Sequence, residues 1–244
     1  MTIRGSEFNW SILDRQSLTR LLWMIWPEIV DKPLTPSKIH SIISKHIRQY
    51  LPIRVSKKFD AAVELGWIYV GGMYYSSYDE DFKKSIEVTF VYSPFEDKMC
   101  LSKSKFQRIC KTFSDVVLHE LIHMRQYRRR EFKILPDYES NAERTEQRQE
   151  QNYLGCTDEI DAYSFNIACE LIDKFGMDYT AIVNYVGAKH WKGKLKSNSL
   201  RMYLKAFDYN HDHRIIKRLK KRIIRYLPNA ELGRPYRTSE WINC

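Results

Sequence analysis

The residues best suited to chemistry are His119 and His123, four positions apart, in the run His119-Glu120-Leu121-Ile122-His123. On a helix, positions i and i+4 share a face, so two imidazoles converge there on one cation. Glu120 stands one residue, about 100°, around the helix from His119. Its carboxylate can thus reach a water at the metal without being a ligand, which is the placement of a general base. Two neutral imidazoles with an open coordination position suit Zn2+ and metal-assisted hydrolysis. Val116, Val117, Leu118, Leu121, Ile122 and Met124 flank the motif, so the helix is expected to be buried and its ligands dry.

Catalytic zinc takes three protein ligands and keeps one position for water. The third must come from another segment, and Asp158-Glu159-Ile160-Asp161-Ala162-Tyr163 is the first choice. Glu159 leads an apolar-periodic helix 36 residues beyond His123, with small Ala162 one turn on to permit close packing. Acids in a first helical turn also favour the macrodipole, so Asp161 stands next in order. His190, His211 or His213 would imply a different ligand set, whereas Glu139, Glu143 and Glu146 read as a solvated face.

These side chains need rigid elements. Residues 8–30 carry Ile12, Leu18, Leu21, Leu22 and Ile25 on one helical face. Thr35 before Pro36 marks the N-cap of a helix reaching Leu51, where Pro52 closes it. Trp67 to Tyr75 reads as two short strands about a Gly71-Gly72 turn, or as one strand with a bulge. Ile86, Val88, Phe90 and Tyr92 alternate with Glu87, Thr89 and Val91 as a half-buried strand, and Lys98 to Leu101 is expected to pair back. A helix of about 25 residues follows, opened by Ser102 or Ser104, with apolar Phe106, Ile109, Cys110, Phe113, Val117 and Leu121 at helical spacing. Residues 128–157 are highly charged and read as a surface excursion with one solvated helix, before helical periodicity returns from Asp158 to Lys174. Sheet, metal-site helix and second helix in that order give an α+β class, with a small, mostly antiparallel sheet expected. The expected division is an N-terminal helical region (1–55), a catalytic core (56–176) and a basic C-terminal helical region (177–244).

His119 to His123 with a downstream helical glutamate resembles the gluzincin branch of the zincin metallopeptidases. The longer pattern, through Glu159-Ile160-Asp161-Ala162-Tyr163 to the basic C-terminal helix, is similar to peptidases encoded by tailed bacteriophages. The likeness is specific over about 103–127 and 157–174. It implies a zinc metalloendopeptidase with a zincin-like fold, His119, His123 and Glu159 as ligands, and Glu120 as catalytic base. It also implies a donor to the developing oxyanion, for which Tyr163, Tyr185, Tyr203 and His213 are candidates, and an edge strand holding extended substrate, sought at 85–92 or 98–101. Two positions depart from the family: Tyr163 replaces the aspartate that orients a ligating histidine, leaving Asp161 or Asn166 for that role, and Arg125 replaces an apolar residue.

Composition narrows the setting. With 244 residues, 43% apolar and 14% aromatic, the chain can bury a substantial core, which argues against global disorder. The longest early apolar stretch, Leu21 to Val30, is broken by Pro27 and Glu28, too short to span a bilayer. The N-terminus lacks the pattern of a signal peptide, and five cysteines without a C-x-x-C pair suit reduced thiols. The expected location is therefore cytoplasmic, or the host cytoplasm or virion for a phage-encoded chain.

Of the net charge of +10, residues 189–225 alone supply +11, from 13 Lys and Arg against Asp208 and Asp212. Beside a protein or peptide substrate, this segment suggests nucleic acid or an acidic protein as partner, or only a packed helix with a solvated face. Two further readings stand beside an active peptidase: a DNA-associated protease of the SprT type, and a structural or virion-associated protein that keeps a zincin fold.

Overall fold

Short-range polar groups set where the first helices begin. In the computed structural model, which describes residues 8–81, 83–134, 145–188 and 195–233, Asp14 and Ser17 form a reciprocal capping box at α1 (Arg15–Trp23). A 3-10 turn (Trp10–Ile12) precedes it and α2 (Trp26–Ile29), with Pro27 in its first turn, follows. The single helix expected over 8–30 is thus three short pieces, because the Asp14 cap and Pro27 each restart the backbone. Thr35 caps α3 (Pro36–Tyr50) as its spacing predicts, accepting from Lys38 N.

The chain divides into two compact units, residues 1–125 and 126–244. In the first, β1 (Arg54–Phe59), β2 (Ile68–Tyr74) and β3 (Ile86–Tyr92) form a sheet in the order β1-β3-β2, with α4 (Ser76–Glu80) between β2 and β3. β1 runs parallel to β3 and β2 antiparallel, so the sheet is mixed rather than mostly antiparallel. Val55, Ile68, Val88, Phe90 and Tyr92 are buried. Alternate positions carry polar ties such as Arg54–Glu87 and Ser56–Thr89, the pattern of a sheet covered on one face. β2 is one unbroken strand, pairing from Ile68↔Tyr92 to Tyr74↔Ile86 without a bulge, so Gly71-Gly72 is no turn. Met99 and Leu101 bridge to Leu34 and Val30 and not to β3.

α5 (Lys103–Arg129) carries the histidine motif and reaches across the division of the chain. Ser102 Oγ accepts from Lys105 N at its start. Arg15 grips Asp115 through two bonds of 2.6 and 3.0 Å, Thr19 meets Ser114 at 3.0 Å, and Phe113 stacks on Phe90. The first unit ends within α5, the helix that completes its core.

The second unit holds α6 (Glu146–Gly155), α7 (Thr157–Phe175), α8 (Tyr179–Gly187), α9 (Asn198–Ala206), α10 (Arg214–Tyr226) and a 3-10 segment (Leu227–Leu232). α7 is its centre, apolar on most sides with Ile160, Ala162, Phe165, Ile167, Ala168, Leu171 and Ile172 buried. Gly176 ends it at φ +67, a conformation that Gly adopts without steric cost. α10 lays Ile215, Ile216, Leu219, Ile223 and Tyr226 inward and most of its cations outward. The class is α+β, and among the described residues no helix is long and apolar enough to cross a membrane.

Candidate metal centre

His119 and His123 lie on one face of α5, as the spacing requires, with their Nε2 atoms 3.2 Å apart. A tetrahedral ion with ligands at about 2.1 Å holds neighbouring ligand atoms about 3.4 Å apart, so this pair is spaced for a shared cation. Both imidazoles are about nine-tenths buried, and Glu120 is 7% exposed. The expected dry helix is present.

Glu120 is placed by the sheet. A Cβ built on Gly72 would lie 2.8 Å from Glu120 Oε1, 2.9 Å from its Cγ and 2.5 Å from Val116 Cγ1. The missing side chain lets the β2 backbone approach the carboxylate directly, so Gly72 positions Glu120 by leaving room for it. For a general base at Glu120, Gly72→Ala is expected to lower turnover about tenfold or more with metal content unchanged, because a displaced base misaligns proton transfer. Equal turnover in the variant and wild type would show that Glu120 tolerates the shift.

Glu159 sits in the first turn of α7 and is 4% exposed. The start of that helix is clamped by the last turn of α5 and by Arg130, the residue just after it. Arg130 donates to both oxygens of Asp158 at 2.7 Å, and Gln126 reaches Asp158 O and Asp161 Oδ2, each at 3.3 Å. Asp158 is 2% exposed, so removing its partner leaves a buried charge uncompensated. Arg130→Ala is expected to destabilise the fold by about 3 kcal/mol, read as a lower urea midpoint at unchanged slope. A midpoint equal to the wild type's would mean that solvent already screens this pair.

His119, His123 and Glu159 each offer one ligand atom, and the three atoms lie within 4.8 Å of one another. All three residues are buried. Two imidazoles and one carboxylate form a donor set for a borderline-soft divalent ion, and three ligands leave one position for water. Asp161, the alternative, takes Gln126 and faces Arg222 at 3.6 Å. His190, Glu139 and Glu143 lie outside the described residues, and Glu146 is exposed at the start of α6.

Aromatic hydroxyls surround Glu159. Tyr153, on α6, hydrogen-bonds with Glu159 and Tyr163, and burial together with the Glu159 charge drives its phenol pKa far up. Its hydroxyl therefore remains a donor to the carboxylate, although the residue is 44% exposed. Tyr163 meets Tyr203 edge to face at 5.6 Å, and burial, then Glu159, raise the Tyr203 pKa. Of the other oxyanion candidates, Tyr185 accepts from Lys196 N and packs on Phe175, while His213 caps α10 through Nδ1. The sequence reading missed Tyr153, Gly72 and Arg130. The signal for Tyr153 was its place six residues before Glu159, hidden by the charged stretch around it. No known family model, curated protein or solved structure matches this chain.

Proposed function

We propose that the chain is a zinc-dependent endopeptidase of zincin-like architecture, holding the ion through His119, His123 and Glu159. The gathering of these three buried donors beside Glu120 carries the reading. When bound, zinc lowers the pKa of water and polarises the scissile carbonyl. Glu120 takes the proton from the attacking water and returns it to the leaving amine, so one carboxylate serves as base and then as acid. Tyr153 holds Glu159 in place through its hydroxyl, and Tyr163 in turn hydrogen-bonds with Tyr153.

Substrate enters along β2. That strand is an edge of its sheet, whereas β3 is paired on both sides and has no free backbone edge to offer. An extended peptide adding to β2 runs past Gly72, where the base lies closest. The test is hydrolysis of an unfolded protein substrate by the zinc-loaded chain, wild type beside Glu120→Gln. Cleavage by the wild type alone supports the reading, and no cleavage by a fully zinc-loaded wild type against varied substrates overturns it.

A further inference from the structure

A second feature stands apart from the metal donors, within the helical unit. A cavity of about 390 Å³ is lined by Arg148, Gln151 and Asn152 of α6, by Phe207 and His213, and by Arg214 at the start of α10. Two guanidiniums, an imidazole and two amides face this space, and among the described residues no carboxylate lines it. Of the acids near the cavity in sequence, Asp212 pairs with Lys217 at 2.8 Å, Asp208 accepts from Gln147 at 3.4 Å, and Glu146 and Glu150 are exposed on α6. Phe207 and His213 stack with centroids 4.6 Å apart, giving the cavity an aromatic wall. The His213 Nδ1 accepts from Ile215 N, so the neutral ring carries its proton on Nε2 and presents a donor.

The cavity opens a longer cationic track. Arg214, Arg218, Lys221 and Arg225 are spaced four, three and four residues apart, so they share one face of α10, and all are exposed. At 1.5 Å per residue the stripe extends about 16 Å from the cavity. The opposite face is buried through Ile215, Ile216, Leu219, Ile223 and Tyr226. Packing thus accounts for the apolar half of this amphipathic helix, while on the basic half Arg218 donates to Thr157 at 2.9 Å, Lys217 pairs with Asp212, and the four stripe cations stay exposed to solvent. Paired guanidiniums favour an oxyanion that accepts two parallel hydrogen bonds, and an aromatic wall beside a cationic track suits a strand with both phosphates and bases.

We propose that this cavity binds a phosphate group, and that the Arg214-Arg218-Lys221-Arg225 stripe carries the site onward along a single-stranded nucleic acid. The inference is independent of the peptidase reading, and its test uses no peptidase readout. The full chain is titrated against a fluorescein-labelled, 5′-phosphorylated oligothymidylate of about twenty nucleotides, a length beyond one typical single-strand site. The proteins are wild type, Arg148→Ala/Arg214→Ala, and Lys45→Ala as a control of surface charge on α3, where Lys45 is exposed. Anisotropy should report binding that the double variant weakens about tenfold or more and that Lys45→Ala leaves near wild type. The salt slope should also fall by about one to two in the double variant, one for each phosphate contact removed.

A parallel arm measures melting temperature with inorganic phosphate. Stabilisation of the wild type but not of the double variant, without oligonucleotide binding, assigns the cavity to free phosphate and still supports its chemistry. The proposal is overturned when the folded double variant responds to both probes as the wild type does, or when the wild type responds to neither.

Discussion

Glu120→Gln is expected to retain about one zinc per chain and to lose peptide hydrolysis by roughly 10²–10⁴-fold in kcat, the range contributed by a positioned general base. The reasoning starts from shape. Gln differs from Glu at one terminal atom, so the side chain still fits the room that Gly72 leaves beside Val116. An amide cannot accept the proton from water at neutral pH, so the chemical step loses its base while the metal keeps its three donors. Two measurements on one preparation decide it: metal content by mass spectrometry, and initial rates on an unfolded protein substrate. Turnover at the wild-type rate would remove Glu120 from the mechanism. Loss of zinc in the variant would instead make Glu120 a ligand and require a new donor set.

Glu159→Ala and His119→Ala should each abolish stoichiometric zinc, taking metal content from about one per chain to near zero in protein purified without added metal. Each change leaves two donors, and a two-donor site cannot hold the ion against ordinary washing. Stability provides a second readout. Zinc at a hundredfold above its dissociation constant should stabilise the wild type by about 2.7 kcal/mol, and this increment should vanish in both variants. Asp161→Ala is the discriminating partner. Asp161 serves Gln126 and Arg222, so its variant should lose some stability and keep its zinc. Zinc retained in Glu159→Ala but lost in Asp161→Ala would move the third ligand two residues along α7.

How far the sequence reached depended on whether the deciding interactions were local. His119 and His123 were legible as one face of a helix because helical period alone puts residues four apart side by side, and the apolar run from Val116 to Met124 foretold their burial. The Thr35 cap, the β3 alternation and the stop at Gly176 were legible for the same reason: each is settled within a few residues. Glu159 stood out only as an acid at a helix start, a position that dipole chemistry would fill anyway. What separates it from Asp158 and Asp161 is tertiary. Arg130 takes Asp158, Gln126 takes Asp161, and Glu159 is left to the tyrosines and the histidines. Gly71-Gly72 shows the opposite error. A glycine pair between apolar runs resembles a turn, yet here it lies in the middle of β2, and at Gly72 the demand for glycine comes from Glu120 and Val116 packed against it and not from backbone angle. The sequence by itself determined the pair of histidines on one helical face, the glutamate between them and the charge of α10, because composition and helical period carry them. Only the tertiary structure decided which carboxylate gathers with the histidines, that β3 is the central strand and β2 an edge, and that arginines of α6 and α10 line one cavity, because each depends on contacts between residues far apart in the chain.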